Sequence, residues 1–566
     1  MTGLPQQVDL LVLGSGAGGM TAALTGALEG MTVLLVEKLD VVGGTTARSA
    51  GSLWLPGTHL DPNDDDCFAR ALTYLRAAVG NGLDEDRSTA FLRAAPQMVK
   101  RLETEAGLRL RAYPHHPDYL ADLDGATLSG RVLEPEPFDG SVLGRRFAEI
   151  APPLPEFTLF GGMMVDRTDI GHLLQMTRSA RSFLYSTRLM ARYGLDRVRQ
   201  RRGQRLVMGN ALVGRLYHAL VSNRVPVAFE TETTGLHCRD GRITHATLMH
   251  QRREHPITVN AGVVLATGGF SRDPALRTAL LPEDLDTVSA VAEGATGDGL
   301  QLAKRLGARF SANHESQSFW APVSHRRRAD GSTGVFPHFV LDRGKPGAFA
   351  VGPDGKRFVN EATTYHRFGE ALLAMKKETG GGACHLICSE AFVRKYGLGT
   401  VRPRGMGLKA AVADGYLKQA HSLQDLAQKI GTPADALKTT SIRHDQFAGT
   451  GADLDFGKGS DAYQRNLGDP SHRPNPCLGA LGAPPYYALE LRPGDIGASA
   501  GLVCDASARV LRKDGEPIQG LYACGADMES IMAGRYPGPG ITLGPAMTFG
   551  YLAAVHAAST LQKASL

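Results

Sequence analysis

The pattern that constrains this chain most begins at Val8. An apolar run of strand length, Val8-Asp9-Leu10-Leu11-Val12-Leu13, leads directly into Gly14-Ser15-Gly16-Ala17-Gly18-Gly19, and a helical pattern follows to about Glu29. A second apolar run, Thr32 to Val36, ends on Glu37. Strand, glycine turn, helix, strand and acid in this order predict a dinucleotide-binding unit. Gly14 allows the tight turn, Gly16 lets the backbone approach a pyrophosphate, Gly19 lets the helix pack closely, and the helix N-terminal amides face the anion. Glu37 stands about twenty residues past the glycines, where a carboxylate reaches a ribose hydroxyl. The glycines alone are a weak signal; their setting gives them weight. The unit by itself suits NAD or FAD.

Three further segments separate those two. Val42-Gly43-Gly44-Thr45-Thr46 is a small-residue loop able to lie against phosphate and flavin, and it leads to Ser49-Ala50-Gly51 and Trp54. Gly262-Val263-Val264-Leu265-Ala266-Thr267-Gly268-Gly269 reads as a buried strand ending in a glycine turn. Leu521-Tyr522-Ala523-Cys524-Gly525-Ala526-Asp527 repeats that pattern near the end of the chain. In this order they resemble the flavoprotein family of fumarate reductases and related dehydrogenases, in which the C-terminal segment folds back to finish the FAD site. The resemblance implies FAD, with contacts from Gly14, Gly16, Ala17, Gly18, Gly19, Glu37, Lys38, Gly43, Gly44, Thr45, Thr46, Ser49, Gly51, Ala266, Thr267, Gly268, Asp298, Gly525, Asp527, Gly540 and Leu543. It also implies an α/β fold: a discontinuous Rossmann-type FAD-binding domain, residues 1–320 and 486–566, with an α+β catalytic domain, residues 321–485, inserted in it. The turn Gly294 to Gly299, with a helix pattern from Leu300 to Leu306, approaches the first boundary, and Pro484-Pro485 marks the second.

The most specific stretch is Arg535-Tyr536-Pro537-Gly538-Pro539-Gly540-Ile541-Thr542-Leu543-Gly544-Pro545-Ala546-Met547-Thr548-Phe549-Gly550. It resembles the signature of the 3-ketosteroid Δ1-dehydrogenases, and the resemblance runs over nearly the whole chain. It implies that the Tyr536 hydroxyl and the Gly540 amide donate to a steroid C3 carbonyl. Two donors on one oxygen stabilise the enolate that forms when a neighbouring proton leaves. The same resemblance makes Tyr365, after Lys356-Arg357-Phe358-Val359-Asn360-Glu361-Ala362-Thr363-Thr364, the base at C2, while a hydride leaves C1 for flavin N5. A phenol with a pKa of about 10 is mostly protonated near neutrality and needs help as a base. Tyr119, in Pro117-Asp118-Tyr119, is the implied partner. Ile541 departs from the family, whose members more often carry a second glycine there, and a bulkier residue reshapes the pocket near the reacting ring.

Composition narrows the remaining classes. With 43% hydrophobic and 21% charged residues the chain is globular, and a net charge of +5 lacks the basic balance of a nucleic-acid binder. Seven scattered cysteines suggest a reducing compartment rather than a disulfide framework, so a cytoplasmic location is expected, with no cleaved signal before Val8. No metal is expected, because neither His115-His116 nor Cys384-His385-Cys388 has paired zinc-site spacing. Tyr486 and Tyr487 read as strand residues. The electron acceptor, a quinone or another carrier, is not written in the sequence. An added segment, residues 172–206, carries nine arginines from Arg178 to Arg205 and one acid, Asp196. On a helix, Arg181, Arg188, Arg192 and Arg199 fall on one side, and Phe183, Leu189, Met190 and Tyr193 on another. Such a basic amphipathic helix either lies on an anionic membrane, here the inner face of the cell membrane, or packs on the protein. Competing activities are enoate reduction, whose cationic motifs are not apparent, desaturation at steroid C4–C5, and desaturation of another polycyclic ketone.

Overall fold

In the computed structural model, which describes residues 4–61, 67–283, 285, 289–339 and 342–564, the strand Gln7–Leu13 lies inside an eight-stranded sheet. Val33–Val36 and Arg253–Leu265 flank it in parallel, and Pro517–Ala523 pairs in parallel with Arg253–Leu265. Strands covered on both faces need unbroken apolar sequence, and Leu10, Leu11 and Val12 are fully buried. Register decides where the site can be. Leu13 stands opposite both Val36 and Leu265, and Leu265 opposite Ala523, so four strands end level. Their following loops gather at one edge, where ligands bind in such sheets.

Two helices cover this edge. Ala17–Leu28 starts at Gly16, which has no side chain to cap it; the Thr46 hydroxyl accepts from the Ala17 N–H at 3.1 Å, and with no acid in the first turn the remaining end is left for an anion. Leu543–Ala564 lies across it at glycine-to-backbone distance: a Cβ added at Gly550 would stand 2.4 Å from the Gly18 carbonyl oxygen.

The second sheet is antiparallel, in the order Thr333–Pro337, Ser318–Arg327, Tyr486–Ala498, Cys384–Ser389, Ala348–Val351, with Leu417–Ala420 also against Tyr486–Ala498. Tyr486–Ala498 is a long strand whose end pairs with Ser318–Arg327 and whose beginning pairs with Cys384–Ser389. Pro493 does not break it; it sits opposite Pro322, and the chain returns to the first unit only after Ala498. The helix Tyr365–Thr379 packs on this sheet so closely that a Cβ at Gly369 would lie 2.5 Å from that of Trp320.

The added segment forms two helices, Arg167–Gln175 and Ala180–Arg199, and the short strand Arg205–Leu206. The expected apolar side of the long helix meets protein over part of its length. Leu189 is buried with Met163 and Val165, and the Tyr193 hydroxyl donates to the Phe160 carbonyl at 2.7 Å. Phe183, from the same expected side, is instead 55% exposed, and Leu184, Leu195 and Val198 face solvent at 71%, 72% and 83% exposure. Among the described residues no helix is long and apolar enough to cross a membrane.

Candidate active site

A cavity of about 1120 Å³ opens along the level strand ends and runs under the second sheet. At one end its wall is Gly14, Gly16, Ala17, Gly18, Gly19, Glu37 and Lys38, with Gly44, Thr45, Thr46, Ser49 and Gly51 beside them. Ala266, Thr267, Gly268, Asp298, Gly525, Gly540 and Leu543 also line it. Gly14 has φ +101°, and a Cβ there would lie 2.2 Å from the Ala266 oxygen, so the turn admits no side chain. The space beyond Gly16 is open apart from the Thr46 Oγ1 at 3.8 Å, leaving a cradle that a side chain would fill. The helix N-terminus, free of acids in its first turn, and this cradle fit the pyrophosphate of FAD.

Two expected contact residues lie behind the wall. Gly43 gives its N–H to the Ser15 carbonyl at 3.1 Å, which ties the small-residue loop to the glycine turn. Asp527 is fully buried; one carboxylate oxygen accepts from the Thr267 N–H, the other from the Thr267 hydroxyl and the Gly269 N–H, both at 2.9 Å. It joins two strand ends across 260 positions. Glu37 does reach the cavity, while its carboxylate accepts from the Ser15 and Leu39 amides at 3.0 Å. Lys38 and Asp298 form an ion pair of 2.7 Å on the rim.

At the other end the three expected tyrosines meet. The Tyr365 ring centroid lies 5.0 Å from that of Tyr536 and 5.5 Å from that of Tyr119, and Tyr119 and Tyr536 are 5.9 Å apart. They arrive from distant positions. Tyr365 opens its helix behind the Thr364 cap, whose side chain accepts from the Arg367 N–H. Tyr119 follows Asp118, a buried carboxylate paired with Arg131 at 2.7 Å and accepting from Trp54 Nε1 at 2.9 Å. Tyr536 precedes the turn whose Pro537 carbonyl accepts from the Tyr119 N–H at 2.9 Å and from the Tyr74 hydroxyl at 2.5 Å. Gly540 has φ +88°, and a Cβ there would lie 2.4 Å from the Ser52 carbonyl oxygen. Ile541 is buried in the same wall.

Burial is the largest influence on the three phenols and raises the pKa of each above its ordinary value. Hydrogen bonding to Tyr365 lowers Tyr119 and Tyr536, and the same contacts raise Tyr365 further. Sequence reasoning missed Phe319, packed edge-on to Tyr536 at 5.1 Å, and Phe339, edge-on to Tyr365 at 4.9 Å. Apolar strand and loop residues carry no signal of which ring they will meet. From Tyr119 the wall continues through His116, Tyr113 and Arg167, at ring separations of 6.3 and 5.2 Å and a guanidinium-to-ring distance of 4.7 Å. It ends among Phe160, Ile170, Leu173 and Leu174. Burial lowers His116 to about 4 and pushes Tyr113 up to about 12, so neither carries charge at neutral pH, while Glu134, Asp166, Arg167, Arg402 and Arg404 also line this end.

The sequence matches the FAD binding domain family over residues 9–543. It is 36% identical to the 4-oxocyclohex-2-ene-1-carboxylate 5-dehydrogenase of Sinomonas cyclohexanicum over 96% of this chain and 92% of that protein. It is 35% identical to the 3-oxosteroid 1-dehydrogenase of Mycolicibacterium smegmatis over 99% and 98%. The crystal structure of 3-ketosteroid Δ1-dehydrogenase from Sterolibacterium denitrificans with 1,4-androstadiene-3,17-dione superposes with a TM-score of 0.90 at 35% identity, over 98% of this chain and 100% of that one. Fold and site together define an FAD-dependent dehydrogenase. The chain belongs to the FAD binding domain family, in the group that holds the 3-oxosteroid 1-dehydrogenases.

Proposed function

We propose that the protein removes hydrogen from C1 and C2 of a 3-ketosteroid, making a double bond conjugated with the ketone. The convergence of Tyr119, Tyr365, Tyr536 and Gly540 on one cavity, continuous with the flavin cradle, carries this reading. The first sheet with its helices is then a Rossmann-type FAD-binding domain in two chain segments, and the second sheet an inserted catalytic domain that brings Tyr365. Tyr536 and the Gly540 amide hold the C3 oxygen and steady the enolate, each contributing roughly 3–4 kcal/mol in a site without water. Tyr365 takes the C2 proton, supported by the Tyr119 hydroxyl. Bound FAD supplies a two-electron acceptor for the hydride from C1.

The relative acting on a one-ring ketone supports a second reading, desaturation of a cyclohexanone carboxylate. The length of the cavity from His116 to Leu174 supports the steroid reading, because a single ring leaves it unfilled. Mixing the yellow protein without oxygen with a 3-keto-4-ene steroid should bleach the flavin and yield a product two hydrogens lighter in ring A. Bleaching by 4-oxocyclohexanecarboxylate alone would transfer the assignment to that class. No bleaching, but reoxidation of reduced flavin by an enoate, would make the protein a reductase.

The hairpin of residues 167–199 supports peripheral contact with an anionic bilayer. Leu184, Leu195 and Val198 face outward beside the exposed Arg181, Arg188 and Arg199. The same hairpin forms the cavity's apolar end, so a poorly soluble substrate and a quinone acceptor would be near at hand. Leu184→Asp with Leu195→Asp is expected to abolish co-sedimentation with phosphatidylserine vesicles and leave the flavin bound; undiminished sedimentation would sink the contact.

A further inference from the structure

The loop from Tyr396 to Met406 lines the cavity where it meets the hairpin of residues 167–199. It is tied down at both ends: the Tyr396 hydroxyl donates to Asp469 at 2.7 Å, and Arg404 Nη2 donates to the Leu174 carbonyl at 3.0 Å. Two arginines of this loop, Arg402 and Arg404, are part of the cavity wall. Arg402 gives Nη2 to the Glu156 carbonyl and, at 3.3 Å, to the Thr158 carbonyl. Those carbonyls lie just before Leu159 and Phe160, so its guanidinium stands at the same end of the cavity as that of Arg404. Among the described residues, Nε and Nη1 of both arginines donate to no protein group.

Neither arginine has a carboxylate within ion-pair distance among the described residues, because the carboxylates around them are held by other cations. Glu156 is bound by Arg328 at 2.8 Å, Glu134 by Arg111 at 2.9 Å and Arg167 at 3.3 Å, Asp166 by Arg205 at 3.5 Å, and Asp469 by Lys395 at 2.7 Å. Lys345, on the same cavity wall, gives Nζ to the Gly468 carbonyl at 2.8 Å and adds to the excess of positive charge. Arg402 is half-buried, and a guanidinium stays charged there at neutral pH, so it is a desolvated cation with no counter-ion. Arg404 has φ +65°, a left-handed position that suits glycine, and an arginine is carried there at the expense of backbone strain.

We propose that Arg402 and Arg404 bind a carboxylate at the end of the substrate remote from its ketone, so that the preferred 3-ketosteroid carries an acidic side chain. The inference rests on the desaturation reading above, which holds C3 at Tyr536 and Gly540 and sends ring D and its side chain along the wall toward Leu174. The apolar residues of that wall take the rings and the side-chain methylenes. The free N–H groups of the two guanidinium forks take the carboxylate, an arrangement whose hydrogen bonds are charge-assisted on both sides. A neutral side chain in the same place leaves Arg402 without a counter-ion, so the pair also selects against uncharged steroids.

The test compares a 3-keto-4-ene steroid bearing a carboxylic acid on its ring-D side chain with the methyl ester of the same acid. Each is mixed without oxygen and without vesicles with the yellow protein near pH 7, and the second-order rate constant for flavin bleaching is measured. The readout is the acid-to-ester ratio within each protein, since the ketone end is common to both steroids. Wild type should favour the acid by about tenfold or more, and added salt should shrink that preference. Arg402→Gln and Arg404→Gln should each lower the ratio, and the double variant should bring it to about one. Arg402→Lys should keep part of the preference, because the charge stays while the fork is lost. Retained flavin colour reports folding, and Arg404→Gln decides the matter if the Arg402 variants lose the flavin. A ratio near one in wild type, or a preference that the variants leave unmoved, would overturn the inference and leave the desaturation reading standing. A wild-type protein bleached by neither steroid would overturn that reading and this inference with it.

Discussion

Tyr536→Phe is expected to give yellow, folded protein whose flavin is reduced by a 3-ketosteroid about 100-fold more slowly. The ring packs edge-on to Phe319 and stacks with Tyr119, and phenylalanine preserves both contacts, so the loss falls on the hydroxyl alone. Substrate binding should weaken less than turnover, because a donor aimed at the developing oxyanion acts more on the transition state than on the ground state. Tyr365→Phe should match it in size through a different step, with proton removal lost and the carbonyl still held. Stopped-flow bleaching with C2-deuterated substrate separates the two: the isotope effect should persist in Tyr536→Phe. Full activity in both variants would remove the tyrosines from the chemistry.

Gly540→Ala should be at least as severe. The residue has φ +88°, and the new methyl would lie within 2.4–2.6 Å of three backbone atoms of residues 52 and 53. Backbone cannot retreat as a flexible side chain can, and strain of this kind costs about 1–3 kcal/mol before any contact is counted. The turn must therefore move. It carries the amide proposed for the C3 oxygen, and its own carbonyl accepts from the Trp54 N–H at 3.2 Å. Turnover should fall by about 100-fold or more, and thermal denaturation should show a lower midpoint as well. A variant with wild-type midpoint and turnover would show that the turn tolerates a left-handed alanine and that Gly540 holds nothing.

The nucleotide cradle was legible because its information is local: strand, turn, helix and acid follow one another within residues 8–37. The tyrosines were legible only through family spacing, since nothing at Tyr119 or Tyr365 signals that they will lie 5.5 Å apart. Pro493-Gly494 looks in the sequence like the end of a strand. It is a mid-strand stretch held by pairing with residues 321–322, a partner that sequence inspection cannot supply. The helix Ala180–Arg199 carries apolar side chains around much of its circumference, so periodicity could not say which meet Met163 and Val165 and which meet solvent.

The bond from the Tyr74 hydroxyl to the Pro537 carbonyl spans 463 positions, and that separation bears on how the enzyme is made. While residues 517–550 are still inside the ribosome, the emerged chain has its first glycine turn and two of its tyrosines. It lacks Tyr536, the turn beyond it, and the carboxylate that ties Thr267 to its neighbouring strand end. The edge of Arg253–Leu265 that later takes up Pro517–Ala523 stays open through this interval, a row of unpaired amides on very apolar sequence. Chains cut short before that strand should therefore be colourless and aggregate, rather than persist as half-active flavoproteins, so that translation errors near the end of the message are discarded instead of producing a leaky oxidase.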